Sequence, residues 1–310
     1  SAMLLLLFPF GALNAQLSPE SLASESDTAT FEMDEEAMQA MYQAYMDSVV
    51  GELTFYADTT ITIGKGLADL AIPAGYRFID KKDAYTVLVD LWGNPPANGE
   101  NSIGMLFPDK YGPADMNGYG IDIFYTEDGY IEDDDAEDMD YDDLLEDLKE
   151  DTELGNEIRR EQGYQTIELV GWATPPRYDS ENKRLHWAKD LVFEGETDHT
   201  LNYNILFLGR KGYLTMNVIG AMKDLPEVNT DLNDFLSSVS YTDGNRYADF
   251  DSNIDEVAAY GIGALIAGKV LAKTGLLAGL GIFLLKAWKL IAVAGIAIVA
   301  GIKKLGGGNS

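Results

Sequence analysis

The fold is decided by the stretch at residues 201–219, LNYNILFLGRKGYLTMNVI. Two apolar and aromatic runs, 201–208 and 213–219, flank the link Gly-Arg-Lys-Gly, which is typical of a β-hairpin. Upstream, residues 185–190 alternate between two sets of side chains, as a strand does. The region 164–221 is therefore predicted to be an antiparallel meander, with a turn at the proline-rich residues 175–179.

Outward from the meander, helical and strand patterns follow one another along the chain. Helices are predicted from residue 32 through Val49, from Asp80 as a cap to Trp92, and after Pro226. Short strands are predicted at 54–56, 59–63, 102–107 and 119–125. Residues 32–250 are thus predicted to form one α+β domain, an antiparallel sheet with flanking helices.

Residues 127–151 contain fifteen Asp or Glu and one basic residue, Lys149. The leucines of its second half recur at helical spacing, so the acids from Asp140 onward are predicted to lie on a solvated helix face. The stretch lacks the glycine and final glutamate of a calcium loop, and 249–260 has Ile254 and Tyr260 at those two positions. The sequence predicts no metal site.

Charge is divided unevenly along the 310 residues. The whole chain carries −30, while the part from Gly261 onward has six lysines and no acid, so the preceding residues carry −36. Such an acidic body repels phosphates, which excludes a nucleic-acid partner. The absence of cysteine excludes disulfides and thiol chemistry.

The N-terminus has the pattern of an exported protein. Residues 1–15 carry a short apolar run that ends in small residues, as in a secretory signal peptide. Residues 16–31 are small and polar, typical of a linker.

The C-terminal residues 251–310 are predicted to be an apolar, helical, membrane-associated tail. Its apolar runs of 12 to 13 residues are shorter than the roughly 18–20 that span a bilayer. Lys286 and Lys289 would cost about 2.5–3.5 kcal/mol each near mid-membrane. Small residues recur every three or four positions, a spacing that favours close helix packing; they are Gly261, Ala264, Gly268, Ala272, Gly275 and Gly279. The predicted partners are the lipid bilayer and a second copy of the chain.

Side chains for catalysis do not form a recognisable motif. The two histidines, His186 and His199, lie in a strand pattern and a polar turn without a nucleophile elbow or a zinc spacing. No cofactor and no catalytic residue is predicted. A candidate binding surface is made by polar and aromatic residues of the meander: Trp172, Tyr178, His186, Trp187, Lys189, Asn202 and Asn204.

Five ordered strings give a family resemblance: LWGNPP at 91–96, ELVGWA-x-PP-x-YD at 168–179, L-x-WAK at 185–189, LNYNI at 201–205 and GNRYADF at 244–250. Together they resemble a bacterial family of uncharacterised membrane-anchored proteins, domain of unknown function 2167. The resemblance implies an exported domain held on the cytoplasmic membrane by its C-terminal region, and it supplies no catalytic residues. By loose analogy, the predicted sheet is similar to the photosystem P-subunit fold.

The main functional hypothesis is an extracytoplasmic sensor or scaffold, anchored in the inner membrane by its tail and without catalysis of its own. Lys303 and Lys304 favour a cytoplasmic C-terminus if there is one crossing, whereas a hairpin returns it outside. Three alternatives remain open: a pore or assembly element lined by Lys286 and Lys289, an exported hydrolase or small-ligand binding protein, and a tail that packs as a soluble helical hairpin.

Overall fold

The computed structural model describes residues 35–92, 94, 96–115, 118–136, 139–161 and 165–267. Its helices are α1 (Glu35–Gly51), α2 (Lys81–Tyr85), α3 (Pro96–Asn101), α4 (Tyr141–Glu161), α5 (Leu225–Ser238) and α6 (Ile262–Ala267). Its strands are β1 (Thr60–Ile63), β2 (Ala68–Ala71), β3 (Tyr76–Asp80), β4 (Ser102–Pro108), β5 (Gly120–Thr126), β6 (Ile167–Asp179), β7 (Arg184–Phe193), β8 (Thr200–Gly209), β9 (Gly212–Ala221) and β10 (Val239–Tyr241). A π-helical segment, Thr86–Leu91, extends α2.

A seven-stranded antiparallel sheet forms the centre of the domain, with the strand order β3-β4-β5-β9-β8-β7-β6. The strands β6 to β9 form the predicted meander, and β5 pairs with β9 across a long sequence separation. A second sheet has three strands in the order β1-β2-β10. The predicted α+β class, antiparallel with flanking helices, is confirmed.

One face of the large sheet packs against α5 and the small sheet. Its largest buried side chains include Phe78, Tyr203 and Phe235, all at most 2% exposed. Tyr76 packs edge-on against Phe235 with ring centroids 5.1 Å apart. Because these aromatic residues bury large areas, this layer is the main apolar core.

The opposite face of the sheet is covered at its two ends. Over β3 and β4, Ile79 and Met105 pack beside α2, its π-helical extension and α1. Over β7 and β8, Leu185 and Leu206 pack against α6. Between these two apolar clusters the same face carries polar side chains, which form the candidate site described below.

The helix starts predicted at Asp80 and Pro226 are confirmed, whereas the start predicted at residue 32 lies outside the described residues. The Asp80 carboxylate Oδ1 accepts the backbone N–H groups of Lys82 at 2.9 Å and Asp83 at 3.1 Å. Pro226 lies in the first turn of α5, where its missing N–H costs no hydrogen bond. The acidic residues of α4 face the solvent, as the leucine spacing predicts.

The turn predicted at residues 175–179 is wrong, because those residues belong to β6. The sheet order makes β6 an edge strand, and its pairing with β7 shifts register between Thr174 and Arg177, so that Pro175 and Pro176 are passed over. An edge strand with a bulge tolerates proline, since no ladder N–H is required there. The actual turn comes after Asp179, which accepts the N–H groups of residues 181 and 182.

The strand predicted at residues 54–56 is also wrong. Only Tyr56 pairs, through an isolated bridge in which its N–H and C=O bond Phe78 at 2.8 Å each. The N–H of Thr54 instead donates to the side chain of Asp83 at 2.7 Å. β-Propensity is therefore overridden here by a helix-start carboxylate.

The predicted signal peptide, linker and most of the tail lie outside the described residues, which include 251–267 of the predicted tail. Within the ranges given above, no helix has the length and apolar character to span a bilayer. The described part of the tail ends in the six-residue apolar helix α6.

Candidate functional site

A row of polar side chains crosses the sheet between the two apolar clusters. The register pairs Asp122 on β5 with Asn217 on β9, and Asn217 with Asn204 on β8. It also pairs Lys189 on β7 with Asn202 on β8. Directly paired residues share a face of a sheet, so these side chains lie side by side across four strands. We call the set the polar row: Ser102, Asp122, Asn217, Asn202, Asn204 and Lys189, together with Trp187, which also packs in the apolar cluster beside α6.

Hydrogen bonds run along the polar row in one direction. Asn204 Nδ2 donates to Asn202 Oδ1 at 2.9 Å, and Asn202 Nδ2 donates to Asn217 Oδ1 at 2.9 Å. At the far end, Ser102 Oγ donates to Asp122 Oδ1 at 2.7 Å. Most buried polar groups in proteins are paired, and these amides are paired with one another.

Asp122 is the buried carboxyl of the polar row, with 3% of its surface exposed. Burial raises its pKa from 3.8 to about 7, although hydrogen bonds from Ser102 and the Ile123 N–H act in the opposite direction. A carboxyl with this pKa exists in both protonation states near neutral pH. Asp122 can therefore donate or accept a proton inside the domain.

Lys189 forms the outer end of the polar row. Its side chain is half-buried, and burial lowers its pKa from 10.5 to about 8. The register places it beside Trp172 on β6 and Asn202 on β8. In the described part of the chain, its ammonium has no hydrogen-bond or ion-pair partner.

Most of the predicted binding residues share this face, but His186 does not. Trp172, Trp187, Lys189, Asn202, Asn204 and Tyr178 all follow the register of the polar-row face. His186 points to the opposite face, where its Nδ1 lies 3.0 Å from Tyr203 Oη and its ring stacks on that tyrosine. Burial first, and then the charge of Arg177, lowers the pKa of His186.

Three members of the polar row were missed by the sequence reasoning, namely Ser102, Asp122 and Asn217. Asp122 stands between two isoleucines and Asn217 between Met216 and Val218. An Asp or Asn between two large apolar residues of a largely apolar strand is the signal that marks both positions, since such strands are buried on both faces.

A second group of contacts joins the acidic stretch to the start of the tail. Tyr130 N–H donates to Glu256 O, and Ala258 N–H donates to Tyr130 O, both at 2.8 Å. The Asp135 carboxylate accepts the N–H groups of Ile262 at 2.9 Å and Gly263 at 3.0 Å. Residues 128–135 thus hold residues 256–263, and we call these two segments the tail clamp.

Asp133 fixes the acidic half of the tail clamp to the sheet. Its Oδ2 accepts Tyr178 Oη at 2.5 Å and Lys183 Nζ at 2.7 Å, and its Oδ1 accepts Tyr247 Oη at 2.9 Å. Burial alone raises the pKa of Asp133, but the bonds from Lys183, Tyr178 and Tyr247 outweigh it and the pKa falls below its usual value. Tyr178 is predicted to belong to the binding surface, but its hydroxyl is already used in the hydrogen bond to the Asp133 carboxylate.

The predicted small-residue stripe begins inside the tail clamp. A Cβ on Gly261 would lie 2.6 Å from the Asp135 carboxylate oxygens, so its small size makes room for that carboxylate. Ala264 is half-buried in α6. The other predicted tail contacts lie outside the described residues: Gly268, Ala272, Gly275, Gly279, Lys286 and Lys289.

Comparison with protein families gives a match to the model described as "Protein of unknown function (DUF2167)", over residues 55–297. The chain belongs to this family. The DUF2167 match includes the polar row and the tail clamp, and it continues into the lysine-bearing tail. The family resemblance seen in the sequence is confirmed.

Comparisons with individual proteins add little to the family assignment. No curated protein matches the DUF2167 chain. Among solved structures, it is similar to the solution structure of cyanobacterial PsbP (CyanoP) from Synechocystis sp. PCC 6803, at 15% identity and a TM-score of 0.33. That match covers 61% of this chain and 92% of the cyanobacterial one. At this level the similarity carries no argument about fold or function.

Removing the Asp133 carboxylate is expected to destabilise the domain. Asp133→Ala leaves the Lys183 ammonium and the Tyr178 and Tyr247 hydroxyls without their shared acceptor, which should lower the free energy of unfolding by about 3 kcal/mol. Urea unfolding followed by tyrosine fluorescence measures this. The exposed neighbour Glu132→Ala is the matched control, with an expected change below about 0.5 kcal/mol. Equal losses in the two variants would contradict the role given to Asp133.

Proposed function

We propose that this DUF2167 protein is a membrane-anchored extracytoplasmic sensor or scaffold, in which the acidic body lies outside the inner membrane and the apolar tail lies in it. The observation that carries the proposal is the tail clamp, which makes the first turn of the tail a part of the folded body. A tail attached in this way follows any change in the body, as a signalling or assembly element requires.

The packing of α6 supports a rigid attachment. Ile262, Leu265 and Ile266 are at most 5% exposed and pack with Leu185 and Leu206 of the sheet. Burying three aliphatic side chains contributes on the order of 5 kcal/mol before the entropic cost of ordering them. The body therefore holds the tail start by apolar contact as well as by the Asp135 hydrogen bonds.

The distribution of charge supports the same orientation. Anionic head groups repel the body, which carries −36, and attract the six lysines that follow Gly261. The lysines Lys303 and Lys304 behind the last apolar run favour the cytoplasmic side for the C-terminus. A single crossing with the body outside is the arrangement that satisfies both preferences.

Three measurements in a bacterial host test the location. The protein should remain in the membrane pellet after alkaline carbonate treatment, and protease added to intact spheroplasts should digest the body. A reporter fused after Ser310 should be active in the cytoplasm. Release by carbonate, or a body that resists protease until the cells are lysed, would overturn the anchored arrangement.

The coupling between body and tail has its own test in the variant Asp135→Ala. Losing the carboxylate that accepts two α6 N–H groups should cost about 1 kcal/mol locally, since it acts as a helix cap. Amide hydrogen exchange at Ile262 and Gly263 should then become about fivefold faster, while exchange in β8 stays unchanged. The exposed neighbour Asp134→Ala should leave all of these rates as in the parent, and unaltered exchange in Asp135→Ala would refute the coupling.

A further inference from the structure

The β7 end of the polar row presents two hydrogen-bond donors that lack acceptors. Trp187 is 4% exposed, and its indole Nε1 has no hydrogen-bond partner. Lys189, two residues further along the same strand face, has no acidic or polar partner among the described residues. Both side chains therefore present N–H groups without an oxygen to receive them.

A buried hydrogen-bond donor without an acceptor lowers the stability of the folded protein, so a ligand that supplies an acceptor would bind favourably. Leaving a buried N–H without a partner costs about 1–3 kcal/mol, which an acceptor brought by a ligand would restore. A half-buried ammonium is likewise stabilised by an anion. One acceptor that carries a negative charge would therefore satisfy both donors.

The two donor side chains leave the same face of β7 at neighbouring positions. Side chains at positions i and i+2 of a strand leave the same face about 6.6 Å apart. Hydrogen bonds from neighbouring side chains on one strand face, each of about 2.9 Å, can be accepted by the two oxygens of one carboxylate. Asn204, the register partner of Trp187, lies beside this position and adds an amide that can bond a further polar group.

The charge of the domain selects the kind of anion. Residues before Gly261 carry −36, so each extra negative charge on a ligand is opposed by the field of the body. One lysine balances one carboxylate, whereas a phosphate dianion would keep an uncompensated charge. Because Lys189 and Trp172 are half-buried, solvent reaches this end of the row.

We propose that the β7 end of the polar row is a binding site for a small carboxylate, held by Trp187 Nε1–H and Lys189 Nζ with Asn204 beside them. This site goes beyond the anchoring function, since every residue in it belongs to the body. The sensor hypothesis and the carboxylate site can therefore fail separately: the first by location, the second by binding.

The probe for this site is sodium acetate, added to the full chain in zwitterionic detergent at constant ionic strength. Indole N–H signals of the four tryptophans are followed by nitrogen-15 NMR, and Trp187→Phe assigns the signal of interest. The Trp187 signal should shift to a plateau with acetate and remain in place with sodium chloride. The absence of a saturable shift would overturn the proposal.

Variants separate the site from a general salt effect. Lys189→Met should weaken acetate binding at least tenfold, and Asn204→Asp, which sets a negative charge beside the anion, should do the same. Lys82→Met removes an exposed lysine of α2 and should leave binding unchanged. Parental binding in a folded Lys189→Met or Asn204→Asp protein would overturn the proposal, as would tighter binding of inorganic phosphate than of acetate.

Discussion

Between pH 4 and pH 8, the variant Asp122→Asn is expected to gain about 4 kcal/mol of stability relative to the parent protein. Asparagine is nearly the same shape and keeps an oxygen for the Ser102 hydroxyl, but it carries no charge to bury. The folded-state pKa of Asp122 is about 7 and its ordinary value is 3.8, a difference that corresponds to about 4 kcal/mol. Urea unfolding of both proteins at a series of pH values measures the difference.

The sign of the pH dependence follows from the raised pKa. Below pH 3.8 the Asp122 carboxyl is neutral in both folded and unfolded chains, so it does not change stability. As pH rises from 3.8 to about 7, the unfolded chain loses this proton while the folded chain retains it, and the parent loses stability. Above pH 7 the penalty is complete, so the advantage of Asp122→Asn should be small at pH 4 and full at pH 8.

An exposed carboxylate provides the control for this result. Asp90→Asn makes the same chemical change on the solvent side of the π-helical segment and should alter stability by less than about 0.5 kcal/mol at any pH. If the stability difference between Asp122→Asn and the parent were the same at pH 4 and pH 8, burial of an ionisable Asp122 would be disproved.

Replacing Gly212 by alanine is expected to destabilise the domain by about 3 kcal/mol or more. Gly212 opens β9 with a φ of +149°, and a Cβ there would lie 1.9 Å from the carbonyl oxygen of Thr126. That atom is backbone of the neighbouring strand β5, so relief requires the sheet to shift rather than a side chain to rotate. Thermal unfolding followed by circular dichroism measures the loss.

The adjacent loop residue makes a matched comparison for Gly212. Lys211 lies in the same hairpin and its side chain is exposed. In the variant Lys211→Ala, the backbone carbonyl of residue 211 still accepts the Gly129 N–H. Its midpoint should stay within about 2 °C of the parent, as expected for a surface change of a few tenths of a kcal/mol. If the Gly212→Ala protein unfolded at the parental midpoint, β5 and β9 would be able to move apart at little cost, and the prediction would be wrong.

Much of the fold could be read from local patterns. The hairpin at 209–212, the cap at Asp80 and the proline start of α5 each depend on residues close in sequence, and each is found in the structure. The turn at 175–179 failed because proline was read without knowing the strand order. Only the position of β6 at the sheet edge makes two prolines acceptable in a strand.

The candidate sites were predicted in part, for a related reason. Alternation places Trp187 and Lys189 on one face of β7 and His186 on the other, and this parity was available from the sequence. The pairing of β5 with β9, however, is a long-range event that no local pattern encodes. Asp122 and Asn217 therefore join Asn202 and Asn204 only once the sheet is assembled.

The roles of individual acids in the acidic stretch also could not be predicted from local sequence. Composition predicts a solvated surface, and that is correct for the acidic residues of α4. Composition cannot tell that Asp133 and Asp135, within the same run of acids, accept specific hydrogen bonds from distant parts of the chain. The distinction lies in partners more than 40 residues away, such as Lys183 at a separation of 50.

The tail clamp also sets an order of events during folding. Its bond from Ile262 to Asp135 closes a loop of 127 residues, and strands β6 to β9 all lie within that loop. Closing so long a loop is favourable only after the intervening chain has collapsed into its sheet. The start of the apolar tail is therefore expected to attach to the body late in folding. A protein in which it is attached is one whose body has already folded.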